Sequence, residues 1–328
     1  MTVLVTGATG LVGSHVVEAL VRGGEQVRAL VRPASRDAVV RLGAEPVAGD
    51  VTDAAAWEAA ARGARAIVHA AAIVQRRASW DEYVAANVDA TRLAVAAARA
   101  AGARLVHISS VAVYGGTAAY PITRERRGED YPFQPIPDHD FYGRTKRMAE
   151  AVVSDAAERR EVDAVALRPT VIYGERDRMF TPRVIRVLRL PVVPRIGAGT
   201  NRLACVYAGN VAAAVLAALA ARNRGFRAYN VTSDGPPALS QREFFAAFAA
   251  ALGRPYRPLP IPAALAATVA GLLTARRLAG AAVSFLSGDN PYSDSAVRAE
   301  LGWRPATSAP AAIARTVAWF VANEKPGR

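Results

Sequence analysis

The sequence predicts an α/β protein built on a doubly wound parallel sheet, with a smaller α/β part toward the C-terminus. Three observations carry this. The β-branched, apolar run Thr2-Val3-Leu4-Val5-Thr6 leads into Gly7-Ala8-Thr9-Gly10-Leu11-Val12-Gly13 and then into an amphipathic stretch at 14–22. That order reads as strand, glycine-rich turn and helix. Strand-like and helix-like segments then alternate to about Arg168, as successive βαβ units require. Beyond Gly174 the alternation gives way to helical segments near 182–189, 241–252 and 310–321 and a strand near 228–231. The division expected is a dinucleotide-binding part at 1–173 and a substrate-binding part at 174–328, interleaved with the first.

Each glycine of the first turn has a separate task. Gly7 permits the tight turn, Gly10 lets backbone approach a pyrophosphate, and Gly13 lets the helix pack closely on the strand. A helix start with free N–H groups favours an anion, so Gly7, Thr9, Gly10, Leu11, Val12 and Gly13 form the candidate dinucleotide cradle. The second strand, at 26–31, ends on Arg32-Pro33-Ala34-Ser35-Arg36. An acidic residue near this point binds a ribose 2′-hydroxyl, whereas an arginine accommodates a 2′-phosphate. Arg32, helped by Arg36, therefore points to NADP, with NAD as the alternative; solvated surface is the competing reading in so arginine-rich a chain. Asp50-Val51-Thr52-Asp53, after a third strand near 46–48, is expected to meet the adenine edge or to cap a helix, and the two roles are compatible.

The chemistry is concentrated in Tyr142-Gly143-Arg144-Thr145-Lys146. Residues four apart share a helix face, and an ammonium beside a phenol is expected to lower the phenol's pKa from about 10 toward working pH. A phenol that gives and takes a proton is what hydride chemistry at a C–OH carbon needs. Lysine occurs only at Lys146 and Lys325 among 41 lysines and arginines, so one of the two stands where a compact ammonium is wanted.

These residues resemble the extended short-chain dehydrogenase/reductases, with their Rossmann sheet, over nearly the whole chain. His69-Ala70-Ala71-Ala72 is similar to the HxAA element, whose small residues leave room for cofactor. Asn87-Val88-Asp89-Ala90-Thr91 resembles the NVxGT helix motif, with Ala90 in place of glycine. Ser109-Ser110 followed by Val113-Tyr114-Gly115 matches the catalytic serine segment, and Arg168-Pro169-Thr170-Val171-Ile172-Tyr173-Gly174 the RPxxxYG that lines the nicotinamide side. Leu301-Gly302-Trp303-Arg304-Pro305 looks like the closing element. The resemblance implies Tyr142 as acid/base, Lys146 as its partner and ribose ligand, Ser110 on the substrate oxygen, and Ser109 at the strand end. It also implies Asn87 as a support, Ala70, Ala71, Ala72, Pro169 and Thr170 against the cofactor, and a homodimer through helices at 83–101 and 141–160.

Two departures bear on substrate. Val111-Ala112 follows Ser110 where sugar-nucleotide dehydratases carry an Asp-Glu pair, which disfavours dehydration. Arg202-Leu203-Ala204-Cys205-Val206-Tyr207 has apolar residues where epimerases place an Arg-Asp pair that clamps diphosphate. Arg202 lies one step off that register and keeps a sugar-nucleotide epimerase as the second hypothesis. The first is the 3β-hydroxysteroid dehydrogenase-like branch, acting on a hydrophobic, alicyclic or sterol-like alcohol or ketone. The apolar stretch at 258–287 fits it as buried core, as a lid, or as a membrane-surface element; it is too short and interrupted to span a bilayer. The Pro-rich segment at 131–137 is expected to overhang the substrate.

The remaining composition excludes little and imposes little. The 328 residues suffice for a full core, and a single cysteine, Cys205, forbids an intrachain disulfide. A first strand starting at residue 2 favours the cytoplasm. No metal is expected. The net charge of +13 is dispersed apart from small groups such as Arg124, Arg126 and Arg127, without a basic–aromatic reader motif, so no nucleic-acid role is expected.

Overall fold

The computed structural model describes residues 2–74, 77–115, 127–221, 224–272 and 283–324. Seven parallel strands form the main sheet: β1 (Thr2–Thr6), β2 (Gln26–Val31), β3 (Glu45–Ala48), β4 (Ala64–His69), β5 (Arg104–Ile108), β6 (Ala164–Pro169) and β10 (Phe226–Val231). Their order is β3-β2-β1-β4-β5-β6-β10, so the winding reverses between β1 and β4. A crevice opens at such a reversal, outside the carboxyl ends of the strands.

Alternation along each strand feeds two cores. From β1, Val3 and Val5 face α1 (Leu11–Arg22) and α8 (Ala208–Ala220), whose Val12, Val16, Leu20, Val211 and Val215 fill one layer. Leu4, with Ile67 and Leu105, faces α3 (Ala54–Ala61), α5 (Ala90–Ala101) and α6 (Phe141–Glu158), which supply Trp57, Ala94, Ala98 and Val153. Burial of each large apolar side chain contributes roughly 1.5–3 kcal/mol. Alanine-rich helices suit this sheet, because small side chains let helix backbones sit close to it.

Two small parallel pairs lie outside the main sheet, β7 (Val171–Tyr173) with β9 (Cys205–Tyr207) and β8 (Val193–Ile196) with β11 (Pro258–Ile261). A third core joins Tyr173 and Leu203 to Phe244 and Phe248 of α9 (Gln241–Ala251) and to Val317 of the C-terminal helix Ala309–Ala322.

Two expectations need correction. The helix expected across 83–101 is interrupted: α4 (Trp80–Val84) passes through a π-helical turn at Ala85–Asp89 before α5 begins. Where it is described, the apolar stretch at 258–287 is buried core only at its far end, where Phe285 joins the third core with Leu286 packed against it. Leu259 and Leu265 are more than half exposed; they lie on β11 and on α10 (Ala263–Leu272), and 273–282 fall outside the described residues. Among the described residues no helix is long and apolar enough to cross a membrane. Arg124, Arg126 and Lys325 also lie outside the description.

Candidate active site

The segments singled out after β1 to β6 emerge at one end of the sheet. Gly7 follows β1, Arg32 follows β2, Asp50 lies two residues past β3, Ala70 follows β4, Ser109 and Ser110 follow β5, and Thr170 follows β6. The β1–β4 crevice is closed at its base by Thr6, whose Oγ1 lies 2.8 Å from His69 Nδ1 and accepts from the Ala71 amide.

The glycine turn is shaped by close approach. Gly7 has φ +66°, and a Cβ there would meet the Ala70 carbonyl carbon and the Ala71 nitrogen at 2.7 Å. A Cβ on Gly13 would fall on the Gly7 carbonyl oxygen. Gly10 is exposed and caps α1 without a side-chain hydrogen bond, and the first turn holds no acidic residue. Thr9 and Leu11 are half-buried and Val12 is buried. This is a helix start whose free amides suit a phosphate. Arg32 and Arg36 are exposed. Asp50 accepts from Thr52 N and Oγ1 in a local turn, while Asp53 is the residue that caps α3; Val51 is half-buried beside them. Of the two readings, the cap thus belongs to Asp53, and Asp50 remains exposed.

The catalytic-helix residues are placed by the cap of α6. Asp140 Oδ1 accepts from the Gly143 amide at 2.9 Å, and a Cβ at Gly143 would meet Asp140 Oδ2 at 2.6 Å, which explains glycine beside Tyr142. Tyr142 is half-buried and hydrogen-bonded to Ser110. Lys146 is buried, and its Nζ donates to the Ile108 carbonyl at 2.7 Å. The lowered phenol pKa expected from the four-residue spacing is not found. Burial pushes Tyr142 up, the Ser110 hydrogen bond works against that, and nearby Asp140 and Tyr83 add to the rise. Burial instead brings the Lys146 ammonium down to about 8, with Glu150 opposing.

Asn87 sits in the π-helical turn, where an irregular helix often marks a functional position. Its Oδ1 accepts from Ile73 N at 2.7 Å, and its Nδ2 donates to Ile73 O at 3.1 Å and to Thr145 Oγ1 at 3.0 Å. The side chain clamps the loop after β4, including half-buried Ala70, Ala71 and Ala72, to the helix carrying Tyr142. Thr170, which is buried, donates to the Thr232 carbonyl at 2.9 Å, and Pro169 ends β6. The 131–137 segment is tied down by Arg147, which reaches Val113 O and Gln134 O.

Sequence reasoning missed the polar support behind these residues. Glu150 is buried, receives Arg168 Nε on both carboxylate oxygens at 3.1 Å, and accepts from Ser109 Oγ. Arg168 continues to Tyr114 Oη at 2.7 Å. The signal was available in part: Glu150 lies four residues past Lys146 and eight past Tyr142, on the same helix face. A second cluster joins Glu175 to His15, Tyr207 and Arg315; burial pushes the Glu175 carboxyl up, but hydrogen bonds with His15, its own backbone and Tyr207 outweigh it and hold it down at about 2.

A groove of about 810 Å³ lined by Arg65, Arg104, Arg160, Glu161 and Arg224 opens at the amino ends of β4 to β6. It is at the wrong end of the sheet for the ligand of a doubly wound fold.

The model of the NAD dependent epimerase/dehydratase family matches residues 3–232. The chain belongs to this family. Its members here are the extended short-chain dehydrogenase/reductases, NAD(P)-dependent enzymes acting on CH–OH groups, and sterol-acting dehydrogenases are among its relatives. The chain is 33% identical to a 4-hydroxy-2-methyl-3-oxo-4-farnesyl-3,4-dihydroquinoline-1-oxide ketoreductase of Stigmatella aurantiaca, over 72% of this chain and 69% of that one. It is 34% identical to human 3 beta-hydroxysteroid dehydrogenase type 7, over 64% of this chain and 60% of that one. The UDP-glucose 4-epimerase of Thermus thermophilus, solved as a complex with NAD, superposes with a TM-score of 0.72 at 26% identity, covering 99% of this chain and 100% of that one.

Proposed function

We propose an NADP-preferring reductase that interconverts a secondary alcohol and a ketone on a hydrophobic, alicyclic or sterol-like substrate. The observation that supports it most is the Ser110–Tyr142 hydrogen bond beside the buried Lys146, at the crevice where the winding reverses. The farnesylated quinoline of one relative and the steroid of another support the hydrophobic substrate.

When bound, the nicotinamide supplies the hydride. The chain's residues bind, orient and move a proton. The Gly7–Gly13 turn and the start of α1 would hold the diphosphate, Arg32 and Arg36 the 2′-phosphate, and Asp50 and Val51 the adenine edge. Ala70, Ala71 and Ala72 leave space along the crevice, and Pro169 and Thr170 line the nicotinamide side. Ser110 orients the substrate oxygen. Tyr142 gives that oxygen a proton in reduction and takes it back in oxidation, Lys146 sets the field at the phenol and binds the ribose, and Asn87 fixes the helix. Residues 174–328 close the substrate side. A homodimer through α5 and α6 belongs to the same reading, and sedimentation velocity tests it; a monomer at micromolar concentration removes it.

Arg32→Glu is expected to weaken NADPH about 10- to 100-fold, the worth of a charge-assisted hydrogen bond, and to leave NADH unchanged. Fluorescence titration reads both. Equal loss for the two dinucleotides would assign Arg32 to structure, not to a 2′-phosphate.

The pH profile follows from Lys146. Its ammonium persists below about 8 and is lost above, whereas Tyr142, raised by burial, stays protonated through that range. kcat/KM for reduction should therefore fall on the alkaline side near pH 8. Glu150→Gln removes the charge that raises Lys146, so the limb should move to lower pH. A limb that stays in place removes Lys146 as its source.

An epimerase with transiently reduced NAD is the alternative, and the likeness to the Thermus thermophilus structure favours it. Against it, Arg202 is engaged with Glu243 at 2.9 Å and with the Ala238 carbonyl at 2.9 Å, not free to clamp a diphosphate.

A further inference from the structure

The geometry points to an anionic bilayer surface as the docking partner of the face made by β8, β11 and the turn after α7 (Thr181–Leu188). The charge that looks dispersed along the chain is not evenly shared. In the sequence, residues 178–288 hold fourteen arginines against Asp234 and Glu243, a net +12 of the chain's +13, and Arg189, Arg195, Arg254 and Arg257 are the four that stand on this face. Both acids are occupied within the protein, Asp234 by Tyr173 and Asn210 and Glu243 by Arg202. Charge asymmetry of this size signals a polyanionic partner.

Apolar side chains decide which one. Leu190, Val192, Leu259 and Leu265 are 48%, 46%, 55% and 54% exposed, four of the nine large apolar side chains exposed among the described residues. Isolated exposed leucines are ordinary, but these are knitted together. Pro194 is the register partner of Leu259, the Val193 amide bonds the Arg257 carbonyl, and Arg254 reaches the Arg189 carbonyl. Leu265 follows on α10, just past β11. Val193 turns inward to the third core while its neighbours face out. Arg195, Arg254 and Arg257 have no carboxylate partner among the described residues, and Arg189 is paired with Glu324. Apolar tips fringed by unpaired arginines suit the boundary of acyl chains and anionic headgroups. A nucleic acid would leave the leucines in water.

The inference stands on this surface and not on the substrate reading, although a hydrophobic ketone would partition into the same bilayer. Flotation of the full chain tests it, with vesicles of phosphatidylcholine alone or mixed equally with phosphatidylglycerol. The protein should float with the mixed vesicles only and be released by high salt. Leu259→Glu, and separately Arg254→Glu with Arg257→Glu, should each lower the bound fraction about tenfold, with unchanged thermal unfolding and NADPH binding. Absence of flotation, flotation indifferent to these substitutions, or arginine-dependent binding to duplex DNA without flotation would overturn it. Failure of the substrate reading shows separately, as absent ketone reduction by a protein that still floats.

Discussion

Tyr142→Phe is expected to lower kcat for ketone reduction about 10²- to 10⁴-fold, the usual worth of a positioned general acid, while NADPH affinity is unchanged. The phenol oxygen lies against Ser110, on the helix face of Lys146. Its removal leaves the ring packed and the Gly143–Asp140 cap intact, so the loss should fall on kcat and not on folding. Because burial keeps the phenol protonated well into alkaline pH, Tyr142 is poised to donate. Stopped-flow single turnover with wild type and variant separates chemistry from release; a rate within a few fold of wild type would remove Tyr142 from proton transfer.

Glu150→Ala carries the largest expected loss of stability. It strands the Arg168 guanidinium, itself buried, and leaves the Ser109 hydroxyl without its acceptor. Removal of one member of a buried ion pair costs about 3–5 kcal/mol. Glu150→Ala with Arg168→Met should recover much of that, because the stranded charge is gone. Urea unfolding of the single and double variants measures the difference. A single variant within about 1 kcal/mol of wild type would mean the pair behaves like an exposed one.

The parts of this protein legible in sequence are those set by period and punctuation. Val3, Leu4 and Val5 alternate between two cores as a buried strand must, and Gly7 and Gly13 mark two places where backbone allows no Cβ. Spacing also put Tyr142 and Lys146 on one face. It could not give their protonation, which burial decides, opposed by Glu150 at Lys146 and by Ser110 at Tyr142. The Glu150–Arg168 pair joins residues on α6 and β6 that only the packed structure brings together. Hydropathy left 258–287 open between core, lid and membrane-surface element, because apolar composition does not say which elements cover a segment; Phe285 is covered, whereas Leu259 and Leu265 are not. The +13 charge was visible, while the place of Arg195 beside Leu259 and Pro194 became clear only when β8 paired with β11.

The most direct test of the account is steady-state assay of purified protein with NADPH and a panel of cyclic and sterol-like ketones, with UDP-sugars assayed in parallel. At least one hydrophobic ketone should give stoichiometric loss of nicotinamide absorbance, and none should with Tyr142→Phe. Interconversion of UDP-sugars without net nicotinamide consumption, and no turnover of any ketone, would contradict the reductase reading and establish the epimerase.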